Sequence, residues 1–146
     1  MSDAEPFLLK RHVPPDDRLR AILTEARTIA VVGLSSSPHR ASHGVARYLQ
    51  NHGYRIVPVN PHEAEVLGER AYASLADIPE KVDVVDVFRR PECTVDAAED
   101  AVKVGAKVLW LQSGIVNEEA QRIAREGGLN VVMDACIKIE HQRLGV

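Results

Sequence analysis

The chain has 146 residues, 27% charged and 45% hydrophobic, with a formal net charge of −3, enough for one compact core and too little for two independent ones. No run approaches the ~20 apolar residues of a membrane span, and the acidic start Met1-Ser2-Asp3-Ala4-Glu5-Pro6 has neither the basic nor the apolar block of a secretory signal, so a cytoplasmic location is expected. The acidic balance and the 4% aromatic content argue against nucleic acid as a partner, since such proteins usually carry a basic face or a row of stacking rings.

Residues 1–15 read as a Pro-containing lead-in to a single domain. Asp16-Asp17 then precede Leu19, Ile22, Leu23 and Ala26, an i, i+3, i+4, i+7 pattern that predicts a helix. Ile29-Ala30-Val31-Val32 is a short all-apolar run closed by Gly33, as expected of a strand covered on both faces. The loop 34–39 leads into a helix with Ala41, Val45, Tyr48 and Leu49 on one side and Gly53 at its end. Ile56-Val57-Pro58-Val59 is a second strand, placed toward a sheet edge because Pro58 cannot donate to a ladder.

Asn60-Pro61 breaks that strand, and residues 74–79 read as a short helical turn before a third strand from Val82 to Phe88. Pro91-Glu92 starts a helix with Val95, Ala98, Val102 and Gly105 on one side. Val108-Leu109-Trp110-Leu111 is a strand, Ala120, Ile123, Ala124 and Gly127 mark another helix, and Val131-Val132-Met133 is a last strand before a helical tail. Apolar strands separated by helices imply parallel pairing through right-handed crossovers. The expected fold is therefore an α/β, Rossmann-like doubly wound sheet of about five mainly parallel strands.

In such sheets ligands lie beyond the carboxyl ends of the strands, near the point where strand order reverses. That selects residues 33–39, Asn60-Pro61, residues 88–91 and Gln112-Ser113-Gly114. In the first segment, Gly33, Leu34, Ser35, Ser36 and Ser37 run from a strand to a helix, with backbone N–H groups, hydroxyls and Arg40 suited to a phosphate. A polar turn with a serine cap is the competing reading. The dinucleotide fingerprint is broken, since Ser35 and Pro38 stand where GxGxxG needs glycines, and Asn60-Pro61 replaces the acidic residue of a usual NAD site. No Gly-Lys-Ser/Thr triplet occurs, which argues strongly against a P-loop NTPase.

Arg89 and Arg90 follow a strand and suit a dianionic phosphate, or else face solvent and cap a helix. Gln112, Ser113 and Gly114 offer donors to an amide or a pyrophosphate, or form an ordinary turn. The two cysteines, Cys93 and Cys136, are too far apart for a CxxC pair and are expected as free thiols. Residues 134–141 gather Asp134, Cys136, Glu140 and His141, which invites a catalytic or metal reading, but on a helix His141 is turned about 100° from Glu140, a poor geometry for a metal. The simpler reading makes Asp134 a helix cap, buries Cys136 and leaves Lys138 and Glu140 solvated. His39, His43 and His62 are expected at loop or helix surfaces.

Five blocks in order, Ala30-Val31-Val32-Gly33-Leu34-Ser35, Gly53 through Pro61, Val84 through Pro91, Trp110 through Gly114 and Met133 through His141, resemble the small stand-alone CoA-binding proteins. These are similar to the N-terminal domain of the succinyl-CoA synthetase α subunit. The resemblance implies coenzyme A or an acyl-CoA across the strand ends. Residues 33–37 and Arg40 would meet its phosphates, and Val59, Asn60 and Pro61 would border the nucleotide. Phe88, Arg89 and Arg90 would flank the cleft, with Gln112, Ser113 and Gly114 toward pantetheine.

The synthetase's phosphorylated histidine lies in a second domain that 146 residues cannot hold, so no autonomous catalysis is expected. The alternative is an enzyme, or a subunit completed by a partner protein, acting on an acyl-CoA or another nucleotide. A homodimer is compatible with the domain size. The lysines that follow the second-strand Asn-Pro in the synthetase pattern are replaced by His62-Glu63-Ala64-Glu65, which puts recognition of the CoA 3′-phosphate there in doubt.

Overall fold

The structure is a computed structural model that describes residues 12–146; most of the expected lead-in, residues 1–11, lies outside the described residues. In chain order the helices are α1 (Asp16–Glu25), α2 (Ala41–Asn51), α3 (Thr94–Lys103), α4 (Glu118–Glu126) and α5 (Ile137–Leu144). The strands are β1 (Thr28–Val32), β2 (Arg55–Val59), β3 (Glu65–Val66), β4 (Glu69–Arg70), β5 (Val84–Val87), β6 (Val108–Leu111) and β7 (Asn130–Val132). Five of these make one parallel sheet in the order β2-β1-β5-β6-β7. The expected fold is therefore the observed one.

Because side chains alternate across a strand, each central strand feeds two cores. Ile29 and Val31 of β1, Val84 of β5, and Val108 and Trp110 of β6 pack on one face with Leu19 and Leu23 of α1, Leu49 of α2 and Ile137 of α5. Ala30, Val85, Val87, Leu109 and Leu111 pack on the other with Ala97, Ala98 and Ala101 of α3 and Ala120 and Ala124 of α4. Small residues let α3 and α4 lie close: Gly127 sits against Val102, where a Cβ would meet the valine methyls.

Pro58 belongs to the edge strand, as expected, and the geometry shows why it costs little. Val59 faces inward, its carbonyl accepting the Gly33 N–H at 2.8 Å, whereas the Pro58 carbonyl faces outward and accepts from Tyr72 at 3.0 Å. A residue's N and C=O point to the same side of a strand, so the missing donor lies on the outer edge, clear of the β1 ladder.

Some expectations are corrected. The hairpin of β3 and β4 was not foreseen; its turn places Leu67 at φ 54° and Gly68 at φ 78°, a conformation usually signalled by Asn-Gly. On α3 the buried residues are Thr94, Ala97, Ala98 and Ala101, while Val95 and Val102, on the expected face, are only partly buried. Asp134 does not cap α5. It has φ 56° and its carboxylate accepts the Gly114 N–H at 2.7 Å, and Cys136 stands at the N-cap without a side-chain cap bond.

Candidate functional site

The direction of the chain reverses between β1 and β5, since the crossover from β1 runs one way to β2 and the next returns past β1 to β5. Gly33 ends β1 at φ 89°, where a Cβ would drive into the Phe88 carbonyl oxygen and crowd Arg89 Cδ at 3.1 Å. Only glycine allows the β1 and β5 ends to meet this closely. Phe88 N donates to the Val32 carbonyl at 2.8 Å and Gln112 N to the Val87 carbonyl at 3.3 Å, extending the ladder to the ends of β5 and β6.

A cleft of about 840 Å³ opens over these strand ends, within the ~300–1,000 Å³ of small-molecule sites. Ten of the fifteen residues that the family resemblance sets against the ligand line it: Gly33, Ser35 and Arg40 after β1; Asn60 and Pro61 after β2; Phe88, Arg89 and Arg90 after β5; Gln112 and Ser113 after β6. The other five are not among its lining residues. Leu34 is fully buried in the core and Val59 is 4% exposed, with Val59 facing a smaller cavity of about 280 Å³ that shares Pro61 and Arg89 with the cleft. Ser36, Ser37 and Gly114 stand in the flanking turns.

Helices supply lining residues that the sequence reading missed: Ala41, Ser42 and Val45 from α2 and Ile139 from α5, joined by Ile115. These carry little chemistry of their own, and only the three-dimensional course of the helices assigns them. Ser42 is buried, and its Oγ accepts the Ser35 N–H at 3.1 Å. Ile139, 55% exposed, gives the rim an apolar side. Arg40, Arg89 and Arg90 give it a basic one; all three are exposed, and the Arg90 contact to Glu92 is a 3.6 Å surface pair worth little.

Two side chains set the loops around the cleft. Asn60 Nδ2 donates to the Leu34 carbonyl at 3.0 Å and its Oδ1 accepts the His62 N–H at 2.9 Å. Gln112, buried, uses its Oε1 to accept the Ile137 N–H at 3.1 Å, so β6 holds the start of α5. Gln112 thus has a structural hydrogen bond as well as a place on the cleft wall.

The ionisable cluster near the C-terminus disperses. Cys136 lines the cleft and is half-buried rather than buried. His141 is buried and shares a 2.7 Å hydrogen bond from its Nδ1 with the Tyr48 hydroxyl, while Asp134 is bound to Gly114. Glu140 and Lys138 are both half-buried, Glu140 holding Arg143 at 2.8 Å and Lys138 lying 5.5 Å from the Tyr48 ring centroid. His62 lines the cleft, whereas His39 is exposed and His43 half-buried, neither lining it. Cys93 and Cys136 are both free. Among the described residues no group of three His, Cys, Asp or Glu could hold a metal ion, and no helix is long and apolar enough to cross a membrane.

Fold and cleft together define a doubly wound α/β protein with its ligand-sized opening at the switch point of the sheet. The chain belongs to the CoA binding domain family, which it matches over residues 27–142. It is 45% identical over 128 residues to the uncharacterised protein YneT of Bacillus subtilis (strain 168), covering 88% of this chain and 95% of that one. It is 30% identical over 125 residues to the α subunit of the ADP-forming acetate–CoA ligase II of Pyrococcus furiosus, covering 77% of this chain but 27% of that subunit. Among solved structures, a hypothetical protein from Pyrococcus horikoshii OT3 superposes with a TM-score of 0.90 at 44% identity, covering 92% of this chain and 95% of that one.

Proposed function

We propose that this protein binds coenzyme A or an acyl-CoA in the cleft at the strand ends and makes or breaks no bond there. The observation that carries the proposal is the meeting of four separate strand-end segments, Gly33 and Ser35, Asn60 and Pro61, Phe88 to Arg90, and Gln112 and Ser113, in one cleft of a chain belonging to the CoA binding domain family. Three arginines lie at that cleft for an anionic ligand. The Ile115, Cys136 and Ile139 side offers apolar surface to a pantetheine arm.

In this reading the Gly33–Ser37 loop and Arg40 face the phosphates, Val59, Asn60 and Pro61 border the adenosine, Phe88, Arg89 and Arg90 flank the cleft, and Gln112, Ser113 and Gly114 lie toward pantetheine. Absence of bond chemistry is supported by the dispersal of Asp134, Cys136 and His141, of which Cys136 alone lines the cleft. The ligand is a small molecule of the cytoplasm, not a nucleic acid or a membrane, and a second copy or a partner protein is compatible with the exposed Ile139 rim. Calorimetric titration with CoA, NAD, NADP and ATP tests the proposal. It predicts saturable CoA binding, and saturable binding of NAD without CoA overturns it.

A further inference from the structure

The three serine amides after β1 are already committed, and not to equivalent partners. Ser35 N donates to the Ser42 hydroxyl at 3.1 Å and Ser37 N to the Ser35 hydroxyl at 3.0 Å, both neutral acceptors. Ser36 N donates instead to the Glu63 carboxylate, at 2.9 Å to Oε2. An ionised acceptor on a backbone N–H makes a stronger bond than a hydroxyl does. The bond is also prepared from the far side: Glu63 N donates to the Asn60 carbonyl at 3.2 Å, and Asn60 anchors its own loop to Leu34. Glu63 is thereby carried across from the loop after β2 to the loop after β1.

We propose that Glu63 is a specificity-determining residue, a resident anion on the Ser36 amide that a phosphate-bearing ligand must displace or tolerate. The inference rests on the proposed function, since it concerns the same loop and the same ligand class. A carboxylate and a phosphate both need the donor, and when both stand beside it like charges repel, a repulsion that solvent screens because the Ser36–Glu63 bond is exposed. Either course weakens binding of the phosphorylated end of the ligand. Neither Ser36 nor Glu63 lines the cleft, but each adjoins a residue that does, Ser35 and His62. The arginine side therefore favours phosphate, while Glu63, next to His62 after β2, discriminates against further negative charge at that edge.

Titration of CoA into wild type, Glu63→Gln and Glu63→Ala, with thermal melting of each, tests this. Glutamine keeps an acceptor for the Ser36 N–H without the charge, and alanine removes both. CoA affinity is expected to rise about two- to fivefold in each variant, the range for an exposed charge, with melting temperatures no higher than wild type, so that the gain does not reflect a stiffer fold. Unchanged or weaker CoA binding in both variants, with wild type binding CoA, overturns the inference and leaves the proposed function standing. Loss of CoA binding in all three proteins overturns the proposed function itself.

Discussion

Asn60 and Leu34 join the loops that follow the two neighbouring strands β2 and β1, the Asn60 amide donating to the Leu34 carbonyl at 3.0 Å. Asn60→Ala removes this bond and the His62 N–H acceptor together, and should lower stability by about 1–2 kcal/mol. Urea unfolding measures that loss. CoA binding should weaken in parallel, because the loops no longer hold the cleft's width.

Gly33→Ala should be among the most damaging substitutions in the chain. The φ of 89° disfavours any side chain, and the Cβ would collide with the Phe88 carbonyl oxygen. A loss of at least about 2 kcal/mol is expected. The matching control is Gly44→Ala, where a Cβ meets nothing within 4 Å and the helical setting of α2 favours alanine.

Asp86 stands fully buried on β5, in register between Val31 of β1 and Trp110 of β6, and neither carboxylate oxygen has a hydrogen-bond partner. Burial pushes its carboxyl well above the usual carboxylate range. The folded state therefore keeps the proton that the unfolded state releases, so this group makes stability fall as pH rises above the ordinary value of 3.8. Asp86→Val, which suits a strand, should raise stability at neutral pH by about 1–3 kcal/mol and remove that slope. Chemical unfolding at several pH values reads both effects.

His141 carries the opposite pH dependence at the junction of α2 and α5. It faces Tyr48, His52 and Tyr54, with ring centroids at 5.4, 5.1 and 5.8 Å, and Lys138 lies over Tyr48. Burial, and then His52, hold its imidazole below the ordinary value of 6.5. Folding thus favours neutral His141, and its contribution is present above that value and lost as pH falls below it. Melting temperatures should drop between pH 7 and pH 5, and drop less steeply in His141→Gln.

Much of the architecture was legible because doubly covered strands leave unbroken apolar runs, as in β1 and β6, and because Pro58 is tolerable only on an outer edge. The β3–β4 hairpin was not, since two-residue strands carry no period and Leu67 stands where the turn would ordinarily take Asn. Alanine hid the buried face of α3, because Ala97 and Ala101 weigh little in a pattern that Val95 and Val102 dominate. At the cleft, residues at strand ends could be read from topology, whereas Val45 and Ile139 reach it from helix faces. Glu63 gave no signal, because its bond to the Ser36 amide joins positions 27 apart in the chain.

A crystal structure of the protein grown with CoA tests the central claim most directly. The account predicts CoA in the strand-end cleft, with its pyrophosphate against the Gly33–Ser37 loop and its pantetheine arm passing Gln112 and Ser113. CoA bound elsewhere on the molecule, with the strand-end cleft filled by solvent, would contradict it.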